Sequence, residues 1–374
     1  MTSPRPRLTA GIVGAVTPPS RLDRVVTPLA PLTTLQLGGP ARRLLTAGSE
    51  DELVALVREL DAAREPLLLL AGGSNVVIAD DGFDGTVVHV RTRGIERTGD
   101  TLAVQAGEEW DGVVAHAVAE GLAGIEALSG IPGSTGATPI QNVGAYGQDV
   151  SQTVVSVRVL DRRSGAIEEV AAGDCGFRYR SSAFKGSDER VVLAVRFALG
   201  GAGRSGAAGG SGALGAPVAY SELARTLGVA VGERAPLGEV RAAVLGLRRG
   251  KGMVVDPADP DSVSAGSFFT NPILTASEFA ALEARAGDGR PPAFPEPDGR
   301  VKTSAAWLIQ HAGFERGRAR ANVAISSKHT LALVNRGGAS TRELVAFARE
   351  IAAGVEERFG VRLVPEPVFV GHAW

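Results

Sequence analysis

Three residues far apart in the chain carry side chains that could serve one reaction. An arginine stands in the donor-dense run Phe177-Arg178-Tyr179-Arg180-Ser181-Ser182. A serine stands between glycine and two aromatics in Gly266-Ser267-Phe268-Phe269, followed by Thr270-Asn271-Pro272. A carboxylate interrupts an apolar run at Pro365-Glu366-Pro367-Val368. A guanidinium can hold a carboxylate or phosphate through two parallel bonds, although a surface ion pair fits the same composition. Ser267 either works in a small dry site or bonds to backbone in a core strand. Charged residues are seldom fully buried unless paired, so Glu366 is either functional or an edge-strand charge. A serine nucleophile needs a histidine base, and no G-x-S-x-G elbow surrounds Ser267, which disfavours a hydrolase. Lys251 and Lys302 are anion contacts or solvated surface. His89, His116, His311, His329 and His372 show no metal-ligand spacing, so no metal is expected.

The run Leu128–Val150 is unusual for a different reason. It carries five glycines (Gly130, Gly133, Gly136, Gly144, Gly147), two prolines and almost no charge. Glycine lets a ligand approach the backbone closely. Gly72-Gly73-Ser74-Asn75 follows an apolar run and can form an anion nest, and Gly38-Gly39-Pro40 is a second such turn. Three uncharged Gly-rich loops suit a large cofactor bearing a pyrophosphate; the alternative is a series of tight turns in a β-rich domain.

The elements that would position these loops are readable. Ala41–Ala47 reads as a strand, Ser49 with Glu52 as a capping box, and Leu53, Leu56, Val57 and Leu60 as a helix face. Pro66–Leu70 completes a β-α-β unit. Thr86–Arg91, Thr101–Ala106, Thr153–Asp161, Ala166–Val170 and Arg190–Leu199 read as strands, with a helix at Trp110–Glu120. Residues 1–25 read as a loose arm, and Gly200–Gly215 as a flexible Gly/Ala/Ser insert. The G-x-G-x-x-G match at Gly201, Gly203 and Gly206 is a chance one, because no helix can start within A-A-G-G-S-G. The last third predicts a helix at Thr303–Ala312 and a strand at Thr330–Asn335. A helix capped by Ser340 and Glu343 follows, then a strand at Val361–Val370.

At 374 residues the chain is long enough for two or three domains. A net charge of −2 gives no case for nucleic acid or an anionic membrane, and Cys175 alone cannot form an internal disulfide. No signal peptide or run of about 18 apolar residues is visible. The expectation is a cytoplasmic, monomeric protein.

Seven ordered motifs now carry a resemblance over about residues 32–371. They are L-G-G-P-A at Leu37, A-G-G-S-N at Ala71, S-G-I-P-G-S-T-G-A at Ser129, Q-N-V-G-A-Y-G at Gln141, Y-R-S-S at Tyr179, A-G-S-F-F-T-N-P at Ala265 and P-E-P-V at Pro365. The chain resembles the UDP-N-acetylenolpyruvoylglucosamine reductases, the MurB family, in its type I branch. The resemblance implies an α+β architecture: a PCMH-type FAD-binding fold in two subdomains (26–90 and 91–200) plus a C-terminal α/β substrate-binding domain. The boundaries drawn are a segment at 201–246 carrying the insert and Tyr220, a substrate domain at 247–360, and a strand at 361–374 returning to the active site. It implies non-covalent FAD, NADPH as hydride donor, and reduction of the enolpyruvyl sugar nucleotide in peptidoglycan precursor synthesis.

Carried over residue by residue, Arg180, Ser267 and Glu366 are catalytic, with Ser267 as proton donor. FAD is expected to contact Gly38, Gly39, Gly72, Gly73, Ser74, Asn75, Ser129, Gly130, Ile131, Pro132, Gly133, Ser134, Gly136, Ala137, Gln141, Asn142, Gly144, Ala145, Tyr146 and Gly147. Tyr179, Tyr220, Lys251 and Asn271 are expected to contact substrate. Leu35 and Gln36 replace an aromatic and an arginine often found before the first Gly-Gly. Rival readings are an oxidase of the same fold, disfavoured because these loops lack a His or Cys for covalent flavin, and a binding protein that lost the catalytic residues, all three of which are present.

Overall fold

A computed structural model describes residues 27–200 and 213–374. The arm at 1–25 and the Gly201/Gly203/Gly206 match therefore lie outside the described residues.

Helix α1 (Glu50–Ala62) starts where Ser49 accepts the N–H of Glu52. The Glu52 carboxylate reaches back one residue further than a capping box would, to the N–H of Gly48. Its buried face, Leu53, Val54, Val57 and Leu60, lies on the first sheet. That sheet runs in the order Thr27–Pro28, Pro40–Ala47, Phe83–Val90, Leu67–Leu70. The β-α-β unit is thus opened: Phe83–Val90 lies between its two strands and runs parallel to both. The second sheet is antiparallel, in the order Ile167–Ala171, Val154–Asp161, Arg190–Ala198, Thr101–Gln105, Ile95–Thr98. Helix α2 (Trp110–Ala119) buries Trp110, Val113 and Val114 against it, with the Trp110 ring 5.6 Å from Phe197. Both sheets share one core.

The short helix α3 (Thr138–Gln141) ends at Asn142, whose φ of 44° turns the chain sharply. Most of the insert expected at 200–215 also lies outside the described residues, and the segment that follows it is ordered into helices. These are α4 (Ser221–Leu227) and α5 (Leu237–Gly250), which pack through Leu223, Val240 and Val244. The boundary drawn at 246/247 falls inside α5.

A third sheet, Ser264–Ser267, Ala332–Asn335, Val323–Ile325, Ala319–Arg320, is antiparallel. It packs with α6 (Ala276–Ala286), α7 (Ala305–His311) and α8 (Thr341–Phe359) around Phe268, Leu308, Leu333, Phe347 and Ile351. Ser340 and Glu343 form a full capping box on α8. Only Val368–Val370 of the strand expected over 361–370 is regular, running parallel to Val76–Ile78. Pro365 and Pro367 lack the N–H that a longer ladder requires.

Candidate functional site

The three residues singled out for chemistry line one cleft, together with Ser74, Asn75, Ile131, Pro132, Gly133, Ser134, Ala137, Gln141 and Gly144. Glu366 is the knot. Its N–H donates to Phe268 O at 2.9 Å, next to Ser267. Its carbonyl lies 3.4 Å from both the Asn75 and the Gln141 amide nitrogens, which donate to it. Its carboxylate faces Arg180, with Nε to Oε1 at 3.3 Å. One residue thus joins the third sheet to both cofactor loops and to the arginine.

Arg180 is held from behind. Its Nη2 donates to Gly144 O at 2.6 Å and its Nη1 to Asn142 O at 3.4 Å. Lys185 Nζ donates to the Arg180 carbonyl at 2.9 Å. Asn142, Tyr146 and Arg180 are three of the six non-glycine residues with positive φ among the described residues. Such backbone persists where the surroundings over-determine it. Burial pushes the Glu366 carboxyl above the usual range, opposed by Arg180 and Lys185. Burial pushes the Lys185 ammonium down, opposed by Glu366. Gly266, at φ 72°, kinks the strand just before Ser267, where the register with Ala332–Asn335 shifts.

The glycines divide into two sets. A Cβ on Gly72 would stand 2.6 Å from the Cα of Gly133, and one on Gly133 would stand 2.6 Å from Ser74 Oγ. Glycine at these positions lets the 71–75 and 131–134 loops touch. Gly38 and Gly39 do not reach the cleft: they pack against Ile78 and the turn at Asp80–Gly82. Gly73 backs onto Leu32 and Gly136 onto Ala106. Ser129 turns inward and donates to Glu126 O, and Gly130 N–H donates to Asp111. Ala145, Tyr146 and Gly147 lie on the hairpin Gly144–Ala145/Gln148–Asp149, with Gly147 against Ala219.

The four expected substrate contacts fall into two groups. Tyr220 meets Tyr146 edge-on at 5.6 Å, and Lys251 Nζ stands 5.5 Å from the Tyr146 ring while paired with Glu222 at 2.7 Å. Tyr179 and Asn271 line a second cleft with Lys185 and Pro365, which meets the first at Arg180. Tyr179 lies between Arg180 and Lys302, and Asn271 Oδ1 accepts the N–H of Ala305 at the start of α7.

The cleft also holds two residues not expected there from sequence, Trp110 and Arg248, beside the expected Gln141. Trp110 Nε1, Gln141 Oε1 and Arg248 Nε are buried without a hydrogen-bond partner, and all three residues line it. Leaving such groups unpaired costs about 1–3 kcal/mol each, more for a charged group. A ligand that satisfies them must offer at least two acceptors and one donor. A flavin does so with a ring N–H between two carbonyls, and its dinucleotide adds a pyrophosphate; the residues fit FAD. Arg248 carried a readable signal. Leu237, Val240, Val244 and Arg248 share the buried face of α5, so the arginine occupies a position where helical spacing calls for an apolar residue.

Comparison with known proteins agrees with this geometry. Residues 41–171 match the model of an FAD binding domain, and residues 257–370 match that of the C-terminal domain of UDP-N-acetylenolpyruvoylglucosamine reductase. The reductase of that name from Thermobifida fusca is 56% identical over 92% of this chain and 97% of its own, and that from Streptomyces coelicolor 58% identical over 92% and 90%. The crystal structure of the Thermus caldophilus enzyme superposes with a TM-score of 0.62 at 24% identity, covering 92% of this chain and 98% of the other. That likeness shows the shared FAD-binding fold. Among the described residues no helix is long and apolar enough to cross a membrane. On the strength of these relatives and the two family models, the chain belongs to the UDP-N-acetylenolpyruvoylglucosamine reductase family.

Proposed function

We propose that this chain reduces UDP-N-acetyl-3-O-(1-carboxyvinyl)glucosamine to UDP-N-acetylmuramate with NADPH, using Arg180, Ser267 and Glu366 as catalytic residues. The observation that supports it most is the meeting of those three residues with both Gly-rich loops at one cleft, through Glu366. FAD, when bound, would supply hydride-transfer chemistry between NADPH and the enolpyruvyl substrate. Ser74, Asn75, Ile131–Ser134, Ala137, Gln141 and Gly144 would hold it, with Gly133 and Ser134 toward the pyrophosphate. Trp110 and Arg248 would add the donors described above.

Arg180 stabilises the negative charge that spreads into the substrate carboxylate. Gly144 O and Asn142 O hold the guanidinium in place, so little reorganisation accompanies the reaction. Ser267 gives its hydroxyl proton to the carbon next to the one that receives hydride. Glu366 stands across Arg180 and helps hold the charge distribution of the intermediate. Tyr220 closes over the sugar nucleotide with Lys251 at its phosphates, while Tyr179 and Asn271 contact it from the neighbouring cleft. The same reading makes the protein a cytoplasmic monomer whose partners are this sugar nucleotide and NADPH, in keeping with a net charge of −2 and a single cysteine.

The test is Ser267→Ala in the flavin-loaded protein. NADPH is expected to bleach the flavin normally, while reoxidation by the enolpyruvyl substrate slows by about 10²–10⁴-fold, the usual range for a lost proton donor. Unchanged reoxidation removes Ser267 from the mechanism. A purified protein that takes up no FAD overturns the whole proposal.

A further inference from the structure

Glu126 opens the 126–133 run and is 1% exposed. No ion-pair partner accompanies its carboxylate among the described residues; it is held by N–H donors alone. Oε2 accepts from Gly124 N at 2.6 Å. Oε1 accepts from Ala216 N at 2.6 Å and from Gln148 Nε2 at 3.1 Å. Gln148 turns its own Oε1 to the N–H of Ala127 at 2.8 Å. A Cβ on Gly215 would stand 2.8 Å from Glu126 Oε1, so glycine is what lets the 215–216 backbone approach.

These bonds tie together three pieces that are distant in sequence. One is the start of the cofactor run. The second is the hairpin carrying Tyr146, because Gln148 lies on its return strand. The third is the segment leading to Tyr220, four residues after Ala216. The rings of Tyr146 and Tyr220 meet at the far end of this arrangement, and Ala219 packs on Gly147 between them. A buried carboxylate without a cation is costly, and charge-assisted bonds from several N–H groups offset that cost. Every partner here is a donor, so both oxygens are needed as acceptors. Glutamine has the same shape, but it would turn one NH₂ group toward an N–H.

We infer that Glu126 is a positioning residue for substrate capture: its carboxylate holds Ala216 to the hairpin and so seats Tyr220 against Tyr146. This rests on the reading of Tyr220 as the residue that closes over the sugar nucleotide. Glu126 touches neither cofactor nor substrate and acts through the placement of Tyr220.

The experiment uses the full flavin-loaded chain with Glu126→Gln, Gln148→Leu, Tyr220→Ala and the double variant Glu126→Gln/Tyr220→Ala. For Glu126→Gln the KM for the enolpyruvyl sugar nucleotide is expected to rise about tenfold or more, the effect of losing one charged hydrogen bond. Flavin content and the rate of bleaching at saturating NADPH are expected to stay within about twofold, which marks a loss of ground-state binding rather than of chemistry. Gln148→Leu, at a half-buried position, is expected to move KM in the same direction and stands in should Glu126→Gln be insoluble. The double variant is expected to be no worse than Tyr220→Ala alone, because both changes remove one function. If Tyr220→Ala raises KM while Glu126→Gln and Gln148→Leu do not, the inference falls alone. It also falls if the variants lose only thermal stability or flavin, with normal KM in the loaded fraction. If Tyr220→Ala leaves KM unchanged, the Tyr220 reading fails and takes this inference with it.

Discussion

Replacing Arg248 with methionine should shift stability in opposite directions with and without flavin. The side chain is 7% exposed, and burial pushes its guanidinium well down, to about 10. At 1.36 kcal/mol per unit, keeping the cation in the flavin-free protein costs about 3 kcal/mol. The folded value lies below the unfolded one, so this cost is fully present below about pH 10 and fades as pH rises above it. At neutral pH it is in full force. The substitution also removes the bond from Nη2 to Met253 O, which, coming from a charged group, contributes about 1.5–3 kcal/mol. The flavin-free variant should therefore gain about 0–1.5 kcal/mol. With FAD bound, the orphaned Nε acquires a partner, and a hydrogen bond to a charged group contributes about 1.5–3 kcal/mol. FAD affinity should fall by about 10–100-fold. Urea denaturation of stripped and loaded protein, with a flavin-fluorescence titration, measures both effects. A stripped variant less stable than wild type, with unchanged FAD affinity, refutes the argument.

Three further outcomes are expected. Burial raises the Glu366 carboxyl, so its contribution to stability is fully present below the unfolded value of 4.5 and is lost as pH rises through the folded value. Thermal denaturation across that window should flatten in Glu366→Gln, and an unchanged slope counts against the assignment. Gly133→Ala puts a Cβ 2.6 Å from Ser74 Oγ at a φ of 124°, which costs about 1–3 kcal/mol. The ratio of flavin to protein absorbance should fall; full FAD occupancy would show that the 71–75 and 131–134 loops need not touch. Cys175 is fully buried with its thiol pushed up to about 11, so a thiol reagent at about pH 8 should leave the folded protein unmodified and react once urea unfolds it.

What the sequence disclosed follows the range of the physics involved. Ser49 and Ser340 mark helix starts through groups three residues apart, and both helices stand where their caps place them. Four strands of the second sheet are found within a residue or two, because alternation is also local, while the short edge strand Ile95–Thr98 is missing from the expectation. Helices α4 and α5 were hidden behind the Gly/Ala/Ser run, whose composition extends up to their start. Helix α6, with a capping box at Thr275 and Glu278, was as readable as α8 and is missing from the expectation. The insertion of Phe83–Val90 between two strands of a β-α-β unit is a pairing choice that periodicity does not encode. At the candidate site, residue types drew attention to the segments of Arg180, Ser267 and Glu366 and the family resemblance picked out these three, while their meeting depends on contacts that are distant in sequence. Arg248 was legible in principle, as a charge on an apolar helix face. Trp110 was not, because a buried tryptophan at the start of a helix looks the same whether or not its N–H has a partner.

The pairing of Val368–Val370 with Val76–Ile78 also sets an order of events. Asn75 and Glu366 lie 291 residues apart, and their contact joins the loop bearing Ser74 to the carboxylate facing Arg180. Contacts of such separation form late, after the entropy of closing the intervening chain has been met. The first two sheets can fold on the ribosome while this pairing partner is still unmade. During synthesis the nascent protein therefore has its dinucleotide loops before it has the carboxylate. The cleft gains the residue that joins its loops only after translation has passed Val370.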